Sequence, residues 1–290
     1  MIKLLAIDVD GTLLDSRGQV PPDNIEALEQ AAVLGVRIAV VTGRSFNFAL
    51  PAVESLPDPL TLIVYNGAIA RMRSGETLIR RLLPRAAARD VLLATVDWRE
   101  GALLQFDRTA RQLVYDRMDW THPNRVRFHQ KNAALLEEVP ALEDALHEDP
   151  IQIAYNGSVE SMRTLVARLR AEACAASLSV SLTEYPHRDF SLVDVCAEDT
   201  TKGSALARLA ELYGVSRTEV MAVGDNFNDR EMLEWAGVGI VMGNAVDAMK
   251  EGFDVTGTND EAGLAQAIRL HITSTAHRAT AATRQDREWA

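Results

Sequence analysis

The chain has 290 residues, 47% of them hydrophobic, and a formal net charge of −11, which fits one large domain or two moderate ones. The acidic balance argues against a general nucleic-acid binder or a binder of anionic membranes, because both classes need clustered positive charge. An anionic small molecule stays possible, since a metal ion or a few local groups can reverse the potential inside one pocket.

The sequence gives no sign of disulfides, export or membrane insertion. Its two cysteines, Cys174 and Cys196, are too few and too far apart to indicate a disulfide framework or a zinc site. No apolar run approaches the ~20 residues that a membrane span needs. Residues 1–8 reach an acidic side chain too early for the apolar segment of a signal peptide. We therefore expect a cytoplasmic protein.

The N-terminal part of the chain alternates apolar runs with helix-length segments. Residues 2–7, 36–41 and 61–65 are short apolar runs, which predict buried strands. A helix is expected after Pro21-Pro22, between the first two runs, and another over residues 45–56. Strands separated by helices are typical of βαβ units around a parallel sheet.

The pattern changes after the third run. Residues 68–83 predict a hairpin around Ser74-Gly75. Beyond it, helices and strands mix without regular alternation: helices near 84–97 and 158–173, and strands near 101–107, 111–115, 150–155 and 178–184. This stretch also has enough aromatic residues to centre a core of its own. We interpret residues 84–187 as an inserted α+β domain.

The βα alternation then resumes. It comprises a strand at 190–195, a helix from Lys202, a strand at 219–223, a helix at 228–236, a strand at 237–241 and a last helix near 260–270. The predicted fold class is therefore α/β, a three-layer αβα Rossmann-like core of residues 1–83 and 188–270 with the insertion at 84–187. Residues 271–290 have no clear apolar stripe, so we expect a flexible tail.

Two carboxylates follow the first predicted strand. Asp8 and Asp10, in the segment Asp8-Val9-Asp10-Gly11-Thr12, stand at the strand's carboxyl end, where open α/β sheets bind ligands. Strand periodicity turns both side chains to one side. Such a pair favours a bound cation or a retained proton. The alternative is ordinary turn chemistry, since Asp and Gly commonly follow a strand.

A second acidic segment follows the strand at 219–223. Asp225 and Asp229 lie in Gly224-Asp225-Asn226-Phe227-Asn228-Asp229, and both belong to the same sheet edge as Asp8 if the strands are parallel. Helix capping is the alternative, because Asp and Asn are favoured caps. Asp8, Asp10, Asp225 and Asp229 together indicate a hard, oxygen-liganded cation such as Mg²⁺.

Two further segments suit an anionic ligand. Thr42-Gly43 ends the second strand and offers a hydroxyl and a backbone N–H at a helix start. Lys202 opens a helix, where its charge opposes the helix dipole, so a role in binding an anion is favoured although a solvated lysine is the commoner case.

In order along the chain, these segments resemble the motifs of the haloacid dehalogenase superfamily. The motifs are Asp8-Val9-Asp10-Gly11-Thr12-Leu13-Leu14, Thr42-Gly43-Arg44, Asn66-Gly67, Lys202-Gly203 and Gly224-Asp225-Asn226-Phe227-Asn228-Asp229. Met242-Gly243-Asn244-Ala245 and Thr258-Asn259-Asp260-Glu261-Ala262-Gly263 narrow the resemblance to the Cof-like phosphatases. That subfamily carries a large α/β cap of the C2B type between its second and third motifs, and the resemblance covers about residues 1–270.

The resemblance implies a role for each matching residue. Asp8 is the expected nucleophile, Asp10 the acid and base, and Thr42 and Lys202 the residues that hold the phosphate. The Mg²⁺ ligands are expected to be Asp8, the Asp10 carbonyl and Asp225, with Asp229 in the immediate shell. The remaining expected substrate or phosphate contacts are Gly11, Gly43, Arg44, Asn66, Gly67 and Asn228.

The predicted function is a Mg²⁺-dependent phosphatase that acts on a small phosphorylated metabolite, with a sugar phosphate favoured. Pyridoxal phosphate and nucleotide-like esters stay open as substrates. A sugar phosphomutase of the same superfamily is the main alternative. A non-catalytic phosphometabolite-binding protein is a weaker one, because Asp8 and Asp10 are both present. The sequence identifies no protein partner.

Overall fold

The computed structural model describes residues 1–172 and 175–274. The chain divides into two compact units. The first unit comprises Met1–Arg80 and the described residues from Thr201 onward, and the second unit comprises Arg81–Thr200. Each unit has its own β-sheet and its own cluster of buried apolar side chains.

The strands of the described residues are, in chain order, β1 (Leu4–Ile7), β2 (Arg37–Val41), β3 (Leu60–Val64), β4 (Ile69–Met72), β5 (Thr77–Arg80), β6 (Ala102–Gln105), β7 (Leu113–Tyr115), β8 (Leu136–Glu138), β9 (Gln152–Gly157), β10 (Leu178–Tyr185), β11 (Phe190–Ala197), β12 (Val220–Gly224), β13 (Val238–Val241) and β14 (Asp254–Val255). The α-helices are α1 (Pro22–Val33), α2 (Phe46–Ala49), α3 (Arg85–Ala94), α4 (Pro123–Asn132), α5 (Val159–Ala171), α6 (Lys202–Leu212), α7 (Arg230–Trp235), α8 (Asp247–Lys250) and α9 (Gly263–Ile268).

The first unit is built on an eight-stranded sheet with the order β14-β13-β12-β1-β2-β3-β4-β5. The strands from β14 to β3 are parallel, and β4 and β5 form an antiparallel hairpin at one edge. Helices α6 and α7 pack over one apolar cluster of the sheet, whereas α1 packs on β2 and against α9 outside that cluster. All four residues of β1 are buried, as expected of a parallel strand covered on both faces.

The order of the strands brings the predicted site segments to one edge. Strand β1 lies between β12 and β2. On one side of β1 the chain continues to β2 and β3, whereas on the other side β12, β13 and β14 follow one another, so the strand order reverses at β1. The crevice at the carboxyl ends of strands around such a reversal is the usual ligand site of open α/β sheets. Asp8 follows β1, Thr42 follows β2 and Asp225 follows β12 at this edge.

The second unit contains a six-stranded sheet with the order β10-β11-β9-β6-β7-β8. Its strands pair antiparallel except β7 and β8. Helices α3 and α5 contribute side chains to one apolar cluster with this sheet, and Phe106 and Tyr155 are its largest fully buried residues. The unit is thus an α+β body with its own core.

The second domain boundary differs from the sequence prediction. Strand β11 contains the run 190–195 that the sequence analysis assigned to the core, but it pairs with β9 and β10 of the second sheet. The first unit resumes at Thr201 instead of residue 188, and it ends at Arg80 instead of residue 83. Burial in β11 alternates from Phe190 to Val195, which is typical of a half-covered antiparallel strand and not of a buried parallel one.

Two helices and one strand also differ from the sequence prediction. Helix α4 was missed, because its sequence has no apolar stripe; it begins at Pro123, and the His122 Nδ1 accepts a hydrogen bond from the Asn124 N–H. The helix expected over 45–56 consists of α2 and a 3₁₀ turn, Leu50–Val53, that contains Pro51. Strand β8 was not predicted either.

The predicted flexible tail begins inside a helix. Residues 271–274 continue the helical segment that follows α9, and residues 275–290 lie outside the described residues, as does Cys174. Cys196 is buried with a free thiol. Within the described ranges, every helix is too short or too polar to cross a bilayer.

Candidate active site

Asp8 is held at the end of β1 by contacts from two other segments. Its backbone N–H donates to the Val223 carbonyl at 3.0 Å, which ties it to β12. Its side chain is 5% exposed, and Oδ1 accepts a hydrogen bond of 2.6 Å from the Lys202 Nζ. The carboxylate is therefore fixed in a buried position beside an ammonium group.

Lys202 is the first residue of α6, and the helix start is set by its neighbours. The Thr201 Oγ1 accepts from the Ser204 N–H, and the Ser204 Oγ accepts from the Thr201 N–H, each at 3.0 Å. The Lys202 Nζ donates to both Asp8 and Asp229 at 2.6 Å. Burial alone would lower the pKa of Lys202, but the charges of Asp229 and Asp8 outweigh it and raise the pKa. Lys202 therefore stays cationic.

Asp229 is fully buried and organises the segment that begins at Gly224. Its Oδ1 accepts from Lys202, and its Oδ2 accepts from the backbone N–H groups of Asp225 and Asn226 at 3.0 Å each. Both oxygens of Asp229 are thus occupied by protein donors. Asp229 therefore fixes the position of the Asp225 backbone.

Asp8, Asp225 and Asp229 form a cluster, called here the acidic cluster. One carboxylate oxygen of each lies within 4.8 Å of the others. Burial and the charge of Asp229 raise the pKa of Asp225 to about 7, and burial followed by Asp229 raises the pKa of Asp8 well above its usual range. One ammonium does not balance three carboxylates. Carboxylate oxygens are the ligands that hard divalent cations prefer, so the acidic cluster fits such a cation.

The carboxylate of Asp10 lies apart from the acidic cluster. Arg44 donates to both of its oxygens, from Nε at 2.9 Å and from Nη2 at 2.5 Å. The Asp10 side chain is 60% exposed, in contrast to Asp8. The structure thus brings the Asp10 carboxylate to Arg44 and not into the acidic cluster.

Gly11 and Thr12 lie directly against Asp225. Gly11 has a φ of +85°, and a Cβ added there would overlap the Asp225 carboxylate, so both backbone conformation and space require glycine. The buried Thr12 Oγ1 donates to Asp225 Oδ1 at 3.3 Å. The sequence analysis quoted Thr12 within its motif without giving it a role.

Thr42, Arg44 and Asn66 form one corner of the site. Thr42 is buried; its Oγ1 accepts from the Arg44 N–H at 3.2 Å, and its carbonyl accepts from the Asn66 N–H at 3.1 Å. Gly43 packs against the Asn66 side chain, and Gly67 packs against the Thr201 backbone next to Lys202. These predicted site residues are brought together.

Asn228 is the predicted site residue with the fewest contacts. It is half-buried in the turn that carries Asp229, and its side chain makes no hydrogen bond to another described residue. Two residues from the segments that carry the subfamily resemblance bond the loop after Asp10. Asn244 donates to the Gly11 carbonyl, and Asn259 donates to the Leu14 carbonyl.

Comparisons with known proteins show the family of the chain. The family model of the haloacid dehalogenase-like hydrolases matches residues 5–268. The phosphatase YwpJ of Bacillus subtilis (strain 168) is 31% identical over 92% of this chain and 99% of its own length. The pyridoxal phosphate phosphatase YbhA of Escherichia coli (strain K12) is 28% identical over 93% of this chain and 98% of its own.

A solved structure agrees as well. BT1666 of Bacteroides thetaiotaomicron, a phosphatase of the haloalkanoate enzyme superfamily, superposes with a TM-score of 0.75 at 26% identity, over 93% of this chain and 94% of its own. The family match spans both units of the chain. The chain belongs to the haloacid dehalogenase-like hydrolases and, like its relatives, is a phosphatase, a hydrolase of phosphate esters.

Proposed function

We propose that the chain is a Mg²⁺-dependent phosphatase that hydrolyses a small phosphorylated metabolite through an aspartyl-phosphate on Asp8. The observation that carries the proposal is the buried Asp8 carboxylate, bonded by Lys202 and placed within the acidic cluster. The family assignment supports the class of reaction, and the arrangement of these side chains supports the individual roles.

The expected Mg²⁺ ligands are Asp8, Asp225 and the backbone carbonyl of Asp10. The bound ion would supply positive charge against the phosphoryl oxygens. Asp229 contributes indirectly, because its two oxygens hold Lys202 and the backbone N–H of Asp225. The raised pKa values of Asp8 and Asp225 support this assignment, since they mark carboxylates whose negative charge has too little compensation.

In the first step, Asp8 attacks the phosphorus atom of the substrate. Lys202 holds its Oδ1, so Oδ2 is the attacking oxygen. The bond between phosphorus and the ester oxygen breaks, and that oxygen takes a proton from the Asp10 carboxyl group. Lys202 and the Thr42 hydroxyl bind the phosphoryl oxygens. The products are the free alcohol and the aspartyl-phosphate.

In the second step, water replaces Asp8. The Asp10 carboxylate takes a proton from a water molecule, whose oxygen attacks the phosphorus atom. The bond to the Asp8 oxygen breaks, which releases inorganic phosphate and restores the Asp8 carboxylate. Asp10 regains its proton, so the cycle consumes one ester and one water and changes neither residue.

Arg44 has to exchange partners during this cycle. Its guanidinium occupies both oxygens of Asp10 in the structure, and Asp10 cannot reach a leaving group while it is held there. A substrate phosphate is a competing anion with matching geometry for a guanidinium. We expect phosphate binding to draw Arg44 away and to release Asp10 for proton transfer.

A sugar phosphate is the first substrate class to test. Pyridoxal phosphate is the second, since the relative YbhA is named for that activity. The second unit is inserted between the Asn66-Gly67 and Lys202-Gly203 motifs, and we propose that it is the cap that selects the organic part of the substrate.

The test is phosphate release from a panel of sugar phosphates, pyridoxal phosphate and nucleoside monophosphates. Wild type is compared with Asp8→Asn and with Asp247→Asn, a control carboxylate that is fully exposed. Release that needs Mg²⁺, stops reversibly with a chelator and is lost only in Asp8→Asn supports the proposal. An isomerised sugar phosphate without released phosphate would show a phosphomutase instead.

A further inference from the structure

Two asparagines from the segments after β13 form hydrogen bonds to the loop that follows β1. Asn244 follows β13, and Asn259 lies in the turn before α9. Both belong to the segments that carry the subfamily resemblance. Neither has a role in the steps described above.

The two asparagines are adjacent because their segments pack closely. The Gly243 N–H donates to the Gly257 carbonyl at 2.9 Å, and a Cβ at Gly243 would lie 2.9 Å from the Thr256 carbonyl oxygen. Only glycine fits such a close approach without a shift. The Asn259 N–H then donates to Asn244 Oδ1 at 2.9 Å. We call Asn244 and Asn259 the amide pair.

The amide pair forms hydrogen bonds to both ends of residues 11–14. Asn244 Nδ2 donates to the Gly11 carbonyl, and Asn259 Nδ2 donates to the Leu14 carbonyl, each at 2.9 Å. Asn259 is 9% exposed, so loss of its amide would leave a buried carbonyl without that donor. Residues 11–14 are called the 11–14 loop below.

The 11–14 loop in turn borders the acidic cluster. Gly11 lies against the Asp225 carboxylate, and the Thr12 hydroxyl donates to it. The Leu13 N–H donates back to the Asp8 carbonyl at 3.2 Å. Any displacement of the loop would therefore move groups that touch the Asp225 carboxylate and the backbone of Asp8.

We propose that Asn244 and Asn259 are positioning residues that hold the 11–14 loop against Asp225 and so set the cation-binding geometry of the acidic cluster. The inference rests on the proposed Mg²⁺ dependence. It assigns a function to amides that contact no reacting atom. Partners of metal ligands commonly tune metal affinity by orienting those ligands.

The experiment uses the full-length protein with charge-neutral substitutions, so that changes in Mg²⁺ binding do not follow from altered charge. Asn244→Ala removes the bond to Gly11 and the acceptor for the Asn259 N–H. Asn259→Ala removes only the bond to Leu14. The matched control is Asn132→Ala in the second unit, where a buried amide donates to the Phe128 carbonyl at 2.7 Å.

Three quantities are measured in each variant: Mg²⁺ affinity by calorimetry, hydrogen exchange at the amides of Leu13 and Leu14, and the melting temperature. We expect Asn244→Ala to weaken Mg²⁺ binding about tenfold or more. Asn259→Ala should weaken it less. Both should speed exchange at Leu13 and Leu14, whose N–H groups donate to the Asp8 and Val9 carbonyls. Asn132→Ala should change only the melting temperature.

Unchanged Mg²⁺ affinity and unchanged exchange in folded Asn244→Ala and Asn259→Ala would overturn the positioning role. A fall in melting temperature alone, equal to that of Asn132→Ala, would show ordinary structural amides and would also overturn it. A wild-type protein that binds no Mg²⁺ would instead overturn the proposed function, so the two failures are distinguishable.

Discussion

In each unit, a buried basic side chain bonds two carboxylates, but the balance of positive and negative charge differs between the two clusters. In the first unit, Lys202 bonds Asp8 and Asp229. In the second unit, Arg99 bonds Glu143 at 2.5 Å and Asp116 at 3.2 Å. Both cations are at most 5% exposed.

The carboxylates respond in opposite directions. Burial would raise the pKa of Glu143, but the hydrogen bonds and charge of Arg99 outweigh it and lower the pKa. In the first unit, a third carboxylate, Asp225, joins the group, and the pKa values of Asp8 and Asp225 rise. A lowered carboxylate pKa shows that basic side chains of the fold compensate the negative charge, whereas raised pKa values among several buried carboxylates mark a candidate place for a ligand. The comparison therefore assigns binding to the first cluster and structure to the second.

The largest expected effect is a loss of phosphatase activity, and it should distinguish the two clusters. Asp8→Asn should lower kcat by about three orders of magnitude or more, because it removes the proposed nucleophile. Glu143→Gln should leave kcat within about threefold, since loss of a purely structural ion pair acts mainly on stability. Steady-state phosphate release measures both variants. A strong loss of kcat in Glu143→Gln alone would reverse the comparison.

For the free energy of unfolding, the large effect is expected in the cluster around Arg99. Arg99→Met leaves the buried Asp116 carboxylate and the partly buried Glu143 carboxylate without their cation, which costs about 3–5 kcal/mol of unfolding free energy. Denaturant unfolding followed by circular dichroism measures the change. The control is Arg163→Met, an exposed arginine bonded to Glu184, for which a change of at most about 1 kcal/mol is expected. Equal losses in the two variants would contradict a buried structural ion pair.

The third prediction concerns pH and Mg²⁺. The pKa of Asp225 is about 7 in the folded protein, against 3.8 for an ordinary Asp, so the folded state binds more protons between these values. Without metal, stability should therefore fall as pH rises from about 4 through 7. Mg²⁺ offsets the ionised carboxylates, and the rise in melting temperature that it causes should be larger at pH 8 than at pH 5.

Thermal unfolding with and without Mg²⁺ at both pH values measures this effect. Asp225→Asn should reduce the pH-dependent part, because it removes one of the two carboxylates whose pKa is raised. The same gain in melting temperature at both pH values in the wild type would argue against a cation at the acidic cluster.

The smallest expected effect concerns the exposed pair of Asp10 and Arg44. A lysine cannot make the two-point contact that we propose between the Arg44 guanidinium and the substrate phosphate, so Arg44→Lys should lower kcat/KM about tenfold. Arg163→Lys is the control, because Arg163 bonds both oxygens of Glu184 in the second unit. If Arg44→Lys keeps the wild-type kcat/KM, the two-point contact has no part in turnover.

The sequence was sufficient to predict the edge at which the site lies. Parallel strands place their carboxyl ends together, so Asp8, Thr42 and Asp225 could be assigned to one crevice from strand order alone. The hydrogen bonds inside the crevice could not be predicted in this way. That Lys202 bonds Asp229 as well as Asp8, and that Arg44 holds Asp10, depends on side-chain torsions that spacing does not encode.

The errors in the fold have a common physical origin. The run 190–195 is apolar enough for a buried parallel strand, but Asp194 and Ser191 belong to an antiparallel strand with one covered face. Helix α4 carries no apolar stripe and begins with a local cap at His122. The strand depends on its partners in the sheet and the helix on its N-terminal cap, and a pattern of hydrophobic residues indicates neither.

The bonds that define the site span most of the chain. Asp8 and Lys202 are separated by 194 positions, Asn244 and Gly11 by 233, and Asn259 and Leu14 by 245. Contacts of such long range close large loops and form late in folding. During synthesis, the surroundings of Asp8 are therefore complete only after β12 and the segment up to Asn259 have been made. We expect competence for chemistry only once the ribosome has passed residue 259.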